Sequence, residues 1–308
     1  MFDRVNASKN FIMASYSIKE LEKLSGIKAH TIRIWEKRYK IIKPSRTQTN
    51  IRFYSDEDLR KILNISILNQ SGIKISKIAN LDANELSDKV LDLCLDINNT
   101  NAQIENLIVS MFELDEAKFI NILSNAVIKS GFEDAIERII FPFLKRIGVL
   151  WQTGTVAPAQ EHFISNLIRQ KLIVAIDNIV LPTDAAKKTI TFFLPEKEMH
   201  ELGLLFYSYI ARKEGFEVIY LGSSVPVADL ATILKTKPKT IFFTSLISNL
   251  KKRDILEWFS NVSTKYPAQQ FLISGFSSRE SKYTLPANFK SVKSVSEFKS
   301  LLSDYKNQ

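Results

Sequence analysis

The first part of the chain shows the polar and apolar pattern of short helices separated by turns. Ser17 and Glu20 have the spacing of a capping box, and leucine and isoleucine recur behind them at helical intervals. This pattern predicts a helix that ends at Gly26 and a second helix over 29–40, together a helix-turn-helix. We expect the second helix to pack through its apolar residues, which are Ile32, Ile34, Trp35 and Tyr39.

The pattern changes at Pro44, which ends helical structure. Turn residues followed by alternation predict a small β-hairpin over 45–55. Helices are then predicted over 56–70 and 75–79. From 84 to 180 the pattern is helical throughout, and it predicts a bundle with helices at 84–97, 101–111, 115–130, 132–150 and 158–177.

A third pattern begins at residue 188. Four short apolar runs, rich in β-branched and aromatic residues, recur with helical stretches between them: TITFFLP, FEVIYLG, TIFFTSL and QFLISGF. This alternation is typical of βαβ units around a parallel sheet.

The positive charge of the chain is concentrated at one end. The net charge is +9, and residues 1–80 hold 16 of the 42 basic residues but only 7 of the 33 acidic ones. This segment therefore carries the whole excess, as expected of a nucleic-acid-binding domain. A chance fluctuation on a solvated surface is the alternative.

The remaining composition narrows the class of protein. Cys94 is the single cysteine, so a disulfide framework and a cysteine-rich metal site are excluded. No apolar run has the length of a membrane span, and residues 1–15 lack the apolar core of a signal peptide. We expect a cytoplasmic protein that has no membrane partner.

The second helix has the side chains of a recognition helix. His30, Thr31 and Arg33 lie near its N-terminal end, where major-groove readers place base contacts. Lys37 and Arg38 follow and could neutralise phosphates. Taken alone, the helix could equally be a surface helix with scattered charges.

The surrounding segment resembles the MerR family of transcriptional regulators over about residues 15–80. The matching stretches are YSIKELEKLSGIKAHTIRIWEKRY and IRFYSDEDLRKI. The resemblance implies a winged helix-turn-helix in which Arg46, Arg52 and Tyr54 of the wing contact the DNA backbone.

A histidine follows the first predicted strand of the α/β region. Ligands of open α/β sheets bind beyond the carboxyl ends of the strands, so His200 is placed where it could ligate a metal, with Glu198 orienting its ring. A solvated surface histidine is the alternative.

The spacing Glu198-His200-Gly203 resembles the D/E-x-H-x-x-G motif of cobalamin-binding domains. The resemblance implies that His200 ligates cobalt from the lower face. It also implies that Ser245 lines the benzimidazole tail of the cofactor and that Gly275 leaves room for this tail. Phe276 departs from the Gly-Gly of that family.

The helical region contains a second motif. Trp151, Glu161 and His162 resemble the W-x9-E-H motif of light-sensing, adenosylcobalamin-dependent regulators related to MerR. The resemblance implies that the tryptophan packs over the upper face of the cofactor and that the Glu-His pair lines the pocket beside the adenosyl group. Gln152 stands where those photoreceptors have a histidine.

Together these features predict a multidomain protein. An all-α winged helix-turn-helix precedes a four- or five-helix bundle and a Rossmann-like α/β domain. The predicted limits are 1–14 for a flexible tail, 15–83 for the DNA-binding domain, 84–184 for the bundle and 185–308 for the cobalamin-binding domain.

The function predicted is that of a DNA-binding transcriptional repressor, not an enzyme. It would be controlled by adenosylcobalamin or another cobalamin, and the resemblance to photoreceptors makes light a candidate signal. It would bind double-stranded operator DNA and would form a homo-oligomer, either dimer or tetramer. The alternative is a regulator of the same fold without a cofactor, whose C-terminal half serves oligomerisation or partner binding.

Overall fold

A computed structural model describes residues 16–46, 50–95, 99–152, 156–180, 188–247, 252–275 and 284–307. The chain divides into two compact units, with the boundary between Ile164 and Ser165. This boundary falls inside a helix, and it does not test the predicted limits of the three domains, which stay predictions. No helix in the described ranges has the length and apolar character needed to cross a bilayer.

The first unit begins with the predicted winged helix-turn-helix. Its helices are α1 (Ile18–Ser25), α2 (Ala29–Tyr39), α3 (Asp56–Gln70) and α4 (Ile75–Ile78), and its wing strands are β1 (Ser45–Arg46) and β2 (Arg52–Phe53). The capping box of Ser17 and Glu20 is present, and Gly26 ends α1 in the left-handed conformation that glycine adopts without strain. The two wing strands pair antiparallel, which confirms the predicted hairpin.

The rest of this unit is helical, as predicted. The helices are α5 (Ala83–Leu95), α6 (Thr100–Glu113), α7 (Glu116–Ser130), α8 (Phe132–Ala135), α9 (Phe141–Gln152) and α10 (Pro158–Asp177). The helix predicted over 132–150 contains a π-helical turn at Ile136–Ile140. Helix α6 is central, because every residue from Ala102 to Met111 is buried.

The second unit is a parallel α/β sheet flanked by helices. Its strands are β3 (Thr189–Pro195), β4 (Glu217–Val225), β5 (Ile241–Ser245), β6 (Phe271–Ser274) and β7 (Phe289–Ser291). Its helices, besides the end of α10, are α11 (Leu202–Lys213), α12 (Leu230–Thr236), α13 (Lys252–Lys265) and α14 (Val295–Asn307). The strand order is β4-β3-β5-β6-β7, and every pair is parallel.

This order positions the candidate site. The chain moves to one side of β3 to form β4 and then to the other side to form β5, so the strand order reverses between β3 and β5. In open α/β sheets, ligands bind at such a reversal, outside the carboxyl ends of the strands. The loops that begin after Pro195 and after Ser245 therefore meet at the expected ligand-binding edge.

Candidate functional site

Helix α2 presents a basic face to solvent. Ile32 and Trp35 are buried, at 0% and 7% exposure, and hold the opposite side of the helix against the core of the unit. Five residues of this helix are predicted to contact bases or to neutralise phosphates. Thr31 is partly exposed, and the other four are exposed: His30, Arg33, Lys37 and Arg38.

The predicted packing face of this helix is wrong at one position. Ile34 is 53% exposed and does not pack into the core. His30 is four residues before Ile34 and Lys37 is three residues after it, so with 3.6 residues per turn all three fall on one side of the helix. Ile32 and Trp35 fall on another side.

The wing is tied to α2 through Glu36. Its carboxylate lies 3.3 Å from the Arg52 Nε and 3.4 Å from the Tyr54 hydroxyl. Tyr54 is 0% exposed, and burial, together with the negative charge of Glu36, raises its pKa to about 12. The sequence interpretation that Tyr54 contacts the DNA backbone is therefore wrong for this conformation, because the hydroxyl is turned inward as a donor to Glu36.

The two wing arginines are differently placed. Arg46 is exposed and donates from Nη1 to the Oδ1 of Asn50 at 2.6 Å. Arg52 is partly exposed and paired with Glu36. Both keep access to solvent, so their predicted phosphate contacts stay predictions.

A buried ion pair connects the helix-turn-helix with the bundle. Arg146 of α9 pairs with Glu105 of α6 and donates from Nη2 to the carbonyl oxygen of Leu24, at the end of α1, at 2.7 Å. Burial raises the pKa of Glu105, and the positive charge of Arg146 opposes this. One side chain therefore holds a buried carboxylate and the C-terminal end of α1.

The loop after β3 presents His200 to solvent on a fixed support. The His200 side chain is 61% exposed, and its Nδ1 lies 2.6 Å from the Oε1 of Glu198, whose own side chain is 0% exposed. Because Nδ1 is engaged by the carboxylate, Nε2 is the nitrogen that could ligate a metal. This is the arrangement predicted for the pair.

Glu198 also joins the two loops at the sheet reversal. Its Oε1 accepts hydrogen bonds from the backbone N–H groups of Met199 and His200, at 3.0 and 3.1 Å. Its Oε2 accepts one from the N–H of Ile247, at 3.0 Å, in the loop after β5. The sequence could not reveal this link, since the two residues are 49 positions apart.

Apolar side chains are exposed beside the His200 loop. Met199 and Ile247 are 62% and 47% exposed, so they place apolar side chains in solvent beside the histidine loop. A Cβ on Gly203, in the first turn of α11, would have no atom within 4 Å. Packing within the chain therefore does not require glycine there, and the position is open to a ligand.

Ser245 and Gly275 lie together at the ends of β5 and β6. Ser245 is buried, and its hydroxyl donates to the carbonyl oxygen of Ser274 at 3.4 Å. Gly275 has φ of +74°, and a Cβ there would lie 2.9 Å from the Ser245 Oγ and 3.0 Å from the Ile247 Cγ1. Only glycine fits this cradle. Phe276 lies outside the described residues.

A further ion pair, which the sequence interpretation missed, supports the histidine loop from α10. Glu201 follows His200 and pairs with Arg169 at 2.7 Å. It also accepts a hydrogen bond from the Tyr220 hydroxyl at 3.3 Å, and burial, followed by the charge of Glu201, raises the pKa of Tyr220.

The residues of the helical motif belong to the other unit. Trp151 and Gln152 end α9, and Glu161 and His162 lie in the first turns of α10. The Nδ1 of His162 lies 3.0 Å from the Glu161 Oε2, and the His162 side chain is 73% exposed. The structure thus brings together the predicted residues of the second unit, namely Glu198, His200, Gly203, Ser245 and Gly275. Trp151, Glu161 and His162 stay predictions as cofactor contacts.

Two family models match the chain. Residues 16–85 match the MerR HTH family regulatory protein, and residues 103–175 match the B12 binding domain. The second match covers α6 to α10, the helical part and not the parallel sheet.

Two curated proteins of Myxococcus xanthus are similar over most of the chain. The HTH-type transcriptional repressor CarH is 26% identical over 241 residues, covering 76% of this chain and 80% of the relative. The HTH-type transcriptional repressor CarA is 26% identical over 216 residues, covering 69% and 70%. The chain is homologous to both.

Among solved structures, the monomethylamine corrinoid protein of Methanosarcina barkeri is 13% identical, with a TM-score of 0.48. The match covers 70% of this chain and 96% of that one.

Proposed function

We propose that this chain, which combines a MerR-type helix-turn-helix with a B12 binding domain, represses transcription from operator DNA under the control of cobalamin. One observation carries the proposal: a basic, exposed recognition helix and a carboxylate-oriented histidine at the reversal of a parallel sheet occur in one chain. Similarity to two transcriptional repressors over most of their length supports it.

The residues present fit a corrin on the second unit. His200 would supply the lower ligand through Nε2, with its ring held by Glu198. Ser245 and Gly275 would lie beside the nucleotide tail, and Met199 and Ile247 would contact apolar edges of the macrocycle. In the helical unit, Trp151, Glu161 and His162 are the residues we propose for cofactor contact, on their resemblance to the W-x9-E-H motif. Bound adenosylcobalamin would supply a light-sensitive cobalt–carbon bond, which is chemistry of the cofactor itself.

Control of DNA binding requires that the cofactor favour one assembly of the chain over another. Operators of such regulators are read by paired recognition helices, so a homo-oligomer would place two copies of α2 on one duplex. A ligand that binds one assembly more tightly shifts the equilibrium toward it, and by linkage DNA and cobalamin would change each other's affinity.

The test is to replace each of two histidines in the full-length protein and to measure cobalamin binding by absorption spectroscopy. His200→Ala should bind cobalamin far more weakly and should lose the spectral shift that imidazole ligation causes. His30→Ala is the matched control, because His30 lies on the DNA-facing helix, and it should bind cobalamin like the wild type. Unchanged binding and spectrum in His200→Ala would contradict the assignment of the ligand. A wild-type protein that binds no cobalamin would favour the regulator without a cofactor.

A further inference from the structure

The exposed face of α2 contains one apolar residue among its basic ones. His30, Arg33, Ile34 and Lys37 fall within an arc of about 100° on the helix. All four are exposed, and Ile34 is 53% exposed. At about 100° per residue, Ile34 lies about 40° beyond His30, and the exposed Arg38 lies about 40° further on. The isoleucine therefore has Lys37 and His30 on one side and Arg38 on the other.

Glu36, the acidic residue of α2, faces the wing and not the exposed basic arc. Glu36 pairs with Arg52 and accepts from Tyr54 in the wing, so it is not part of the exposed arc. The face that surrounds Ile34 thus carries positive charge and no carboxylate. Such a surface is complementary to a polyanion, and it disfavours an apolar protein partner, which would have to desolvate Arg33 and Lys37.

Single exposed apolar residues are common and need no function in themselves. Ile34 differs because of what its neighbours would contact. If Lys37 and Arg38, which flank Ile34 on the helix surface, face the phosphates and bases of a major groove, Ile34 between them faces base edges. The major-groove edges of the bases are polar except at thymine, which presents a C5-methyl group.

We propose that Ile34 reads a thymine in each operator half-site by packing against its C5-methyl group. This inference rests on the proposed function, in that α2 must enter the major groove. Burying one methyl group is worth about 0.8 kcal/mol, which corresponds to about a fourfold change in affinity. The contact would therefore choose among operators and contribute little to overall affinity.

The test uses uracil, which pairs like thymine but lacks the methyl group. An operator is first selected from random duplexes with the full-length protein. Each of its thymines is then replaced singly by uracil, and the dissociation constants are compared at one salt concentration. At one position of each half-site, uracil should weaken binding by the wild type about fourfold. Ile34→Ala should bind the thymine and uracil operators equally well at that position and should keep any sensitivity at others.

Ile128→Ala is the matched control, because Ile128 is 80% exposed on α7 of the bundle and should keep the full sensitivity to uracil. Equal thermal unfolding of both variants would show that each is folded. If an operator is selected but no uracil position weakens the wild type, or if Ile34→Ala stays as sensitive as the wild type, the thymine contact is refuted. If no duplex is enriched at all, the proposed DNA-binding function itself fails.

Discussion

Replacing Arg146 with methionine should destabilise the first unit, because it removes the cation that compensates a buried carboxylate. The Glu105 side chain is 4% exposed and that of Arg146 is 30% exposed. Removing one partner of a buried pair costs about 3–5 kcal/mol. Since Arg146 retains contact with water, we expect a loss in unfolding free energy near the lower limit, about 3 kcal/mol. Urea denaturation followed by circular dichroism measures it.

The pH dependence of this loss identifies its cause. Burial already raises the pKa of Glu105, and without Arg146 the pKa should rise further. A carboxyl group whose pKa is higher in the folded than in the unfolded state destabilises the fold above its folded-state pKa. This penalty disappears below its unfolded-state pKa. The difference between wild type and Arg146→Met should therefore shrink as the pH is lowered from neutral towards the ordinary pKa of glutamate.

Two variants make this prediction falsifiable. Arg138→Met removes a similar side chain from an exposed pair with Asp134 at 3.2 Å, and it should cost less than about 0.5 kcal/mol. Glu105→Gln in the Arg146→Met background should recover much of the loss, since the amide has no charge to compensate. Equal losses in Arg146→Met and Arg138→Met, or a loss that does not change with pH, would refute the argument from the buried charge.

Two other substitutions test the cofactor site. Gly275→Ala should destabilise the second unit by about 1–3 kcal/mol, because φ of +74° and contacts of 2.9 and 3.0 Å leave no room for a Cβ. Thermal unfolding measures this loss, and unchanged stability would show that the space beside Gly275 is not so tightly packed. Gln152→His protein, loaded with adenosylcobalamin and illuminated, should show the absorption spectrum of a corrin with two imidazole ligands. The reason is that imidazole is a far better cobalt ligand than an amide. Such a spectrum in the wild type would show that another histidine reaches the cobalt.

The elements of the fold were predictable where local pattern decides them. The capping box at Ser17 and the apolar strand β3 are properties of consecutive residues, and both predictions are confirmed. Strand β7 was missed because its three residues include two polar ones and pair with β6 on one side only. Ile34 was misassigned because an apolar residue in a helix was assumed to face the core.

The candidate site was predictable only in its linear motifs. Glu198 and His200 are two residues apart, so their hydrogen bond could be anticipated. The bond from Ile247 to Glu198 and the pair of Arg169 with Glu201 depend on chain topology, and nothing in the local sequence marks them. Tyr54 was misassigned for a related reason, since its hydroxyl donates to Glu36, which is 18 residues earlier in the chain.

Glu198 and Glu105 are two buried carboxylates that differ in how completely their oxygens are hydrogen-bonded. In the second unit, the Glu198 carboxylate accepts from three backbone N–H groups and from His200. Removing any donor would leave a buried charge partly uncompensated, so the two loops are held as one rigid support. In the first unit, the Glu105 Oε2 and the Asn64 Oδ1 are buried without a hydrogen-bond partner among the described atoms.

Such imperfectly satisfied polar groups make rearrangement less costly, because little hydrogen-bonding energy is lost when the packing shifts. Arg146, which joins Glu105 to Leu24, lies on α9, the helix that also carries Trp151. A displacement of α9 would therefore act on the end of α1 through one side chain.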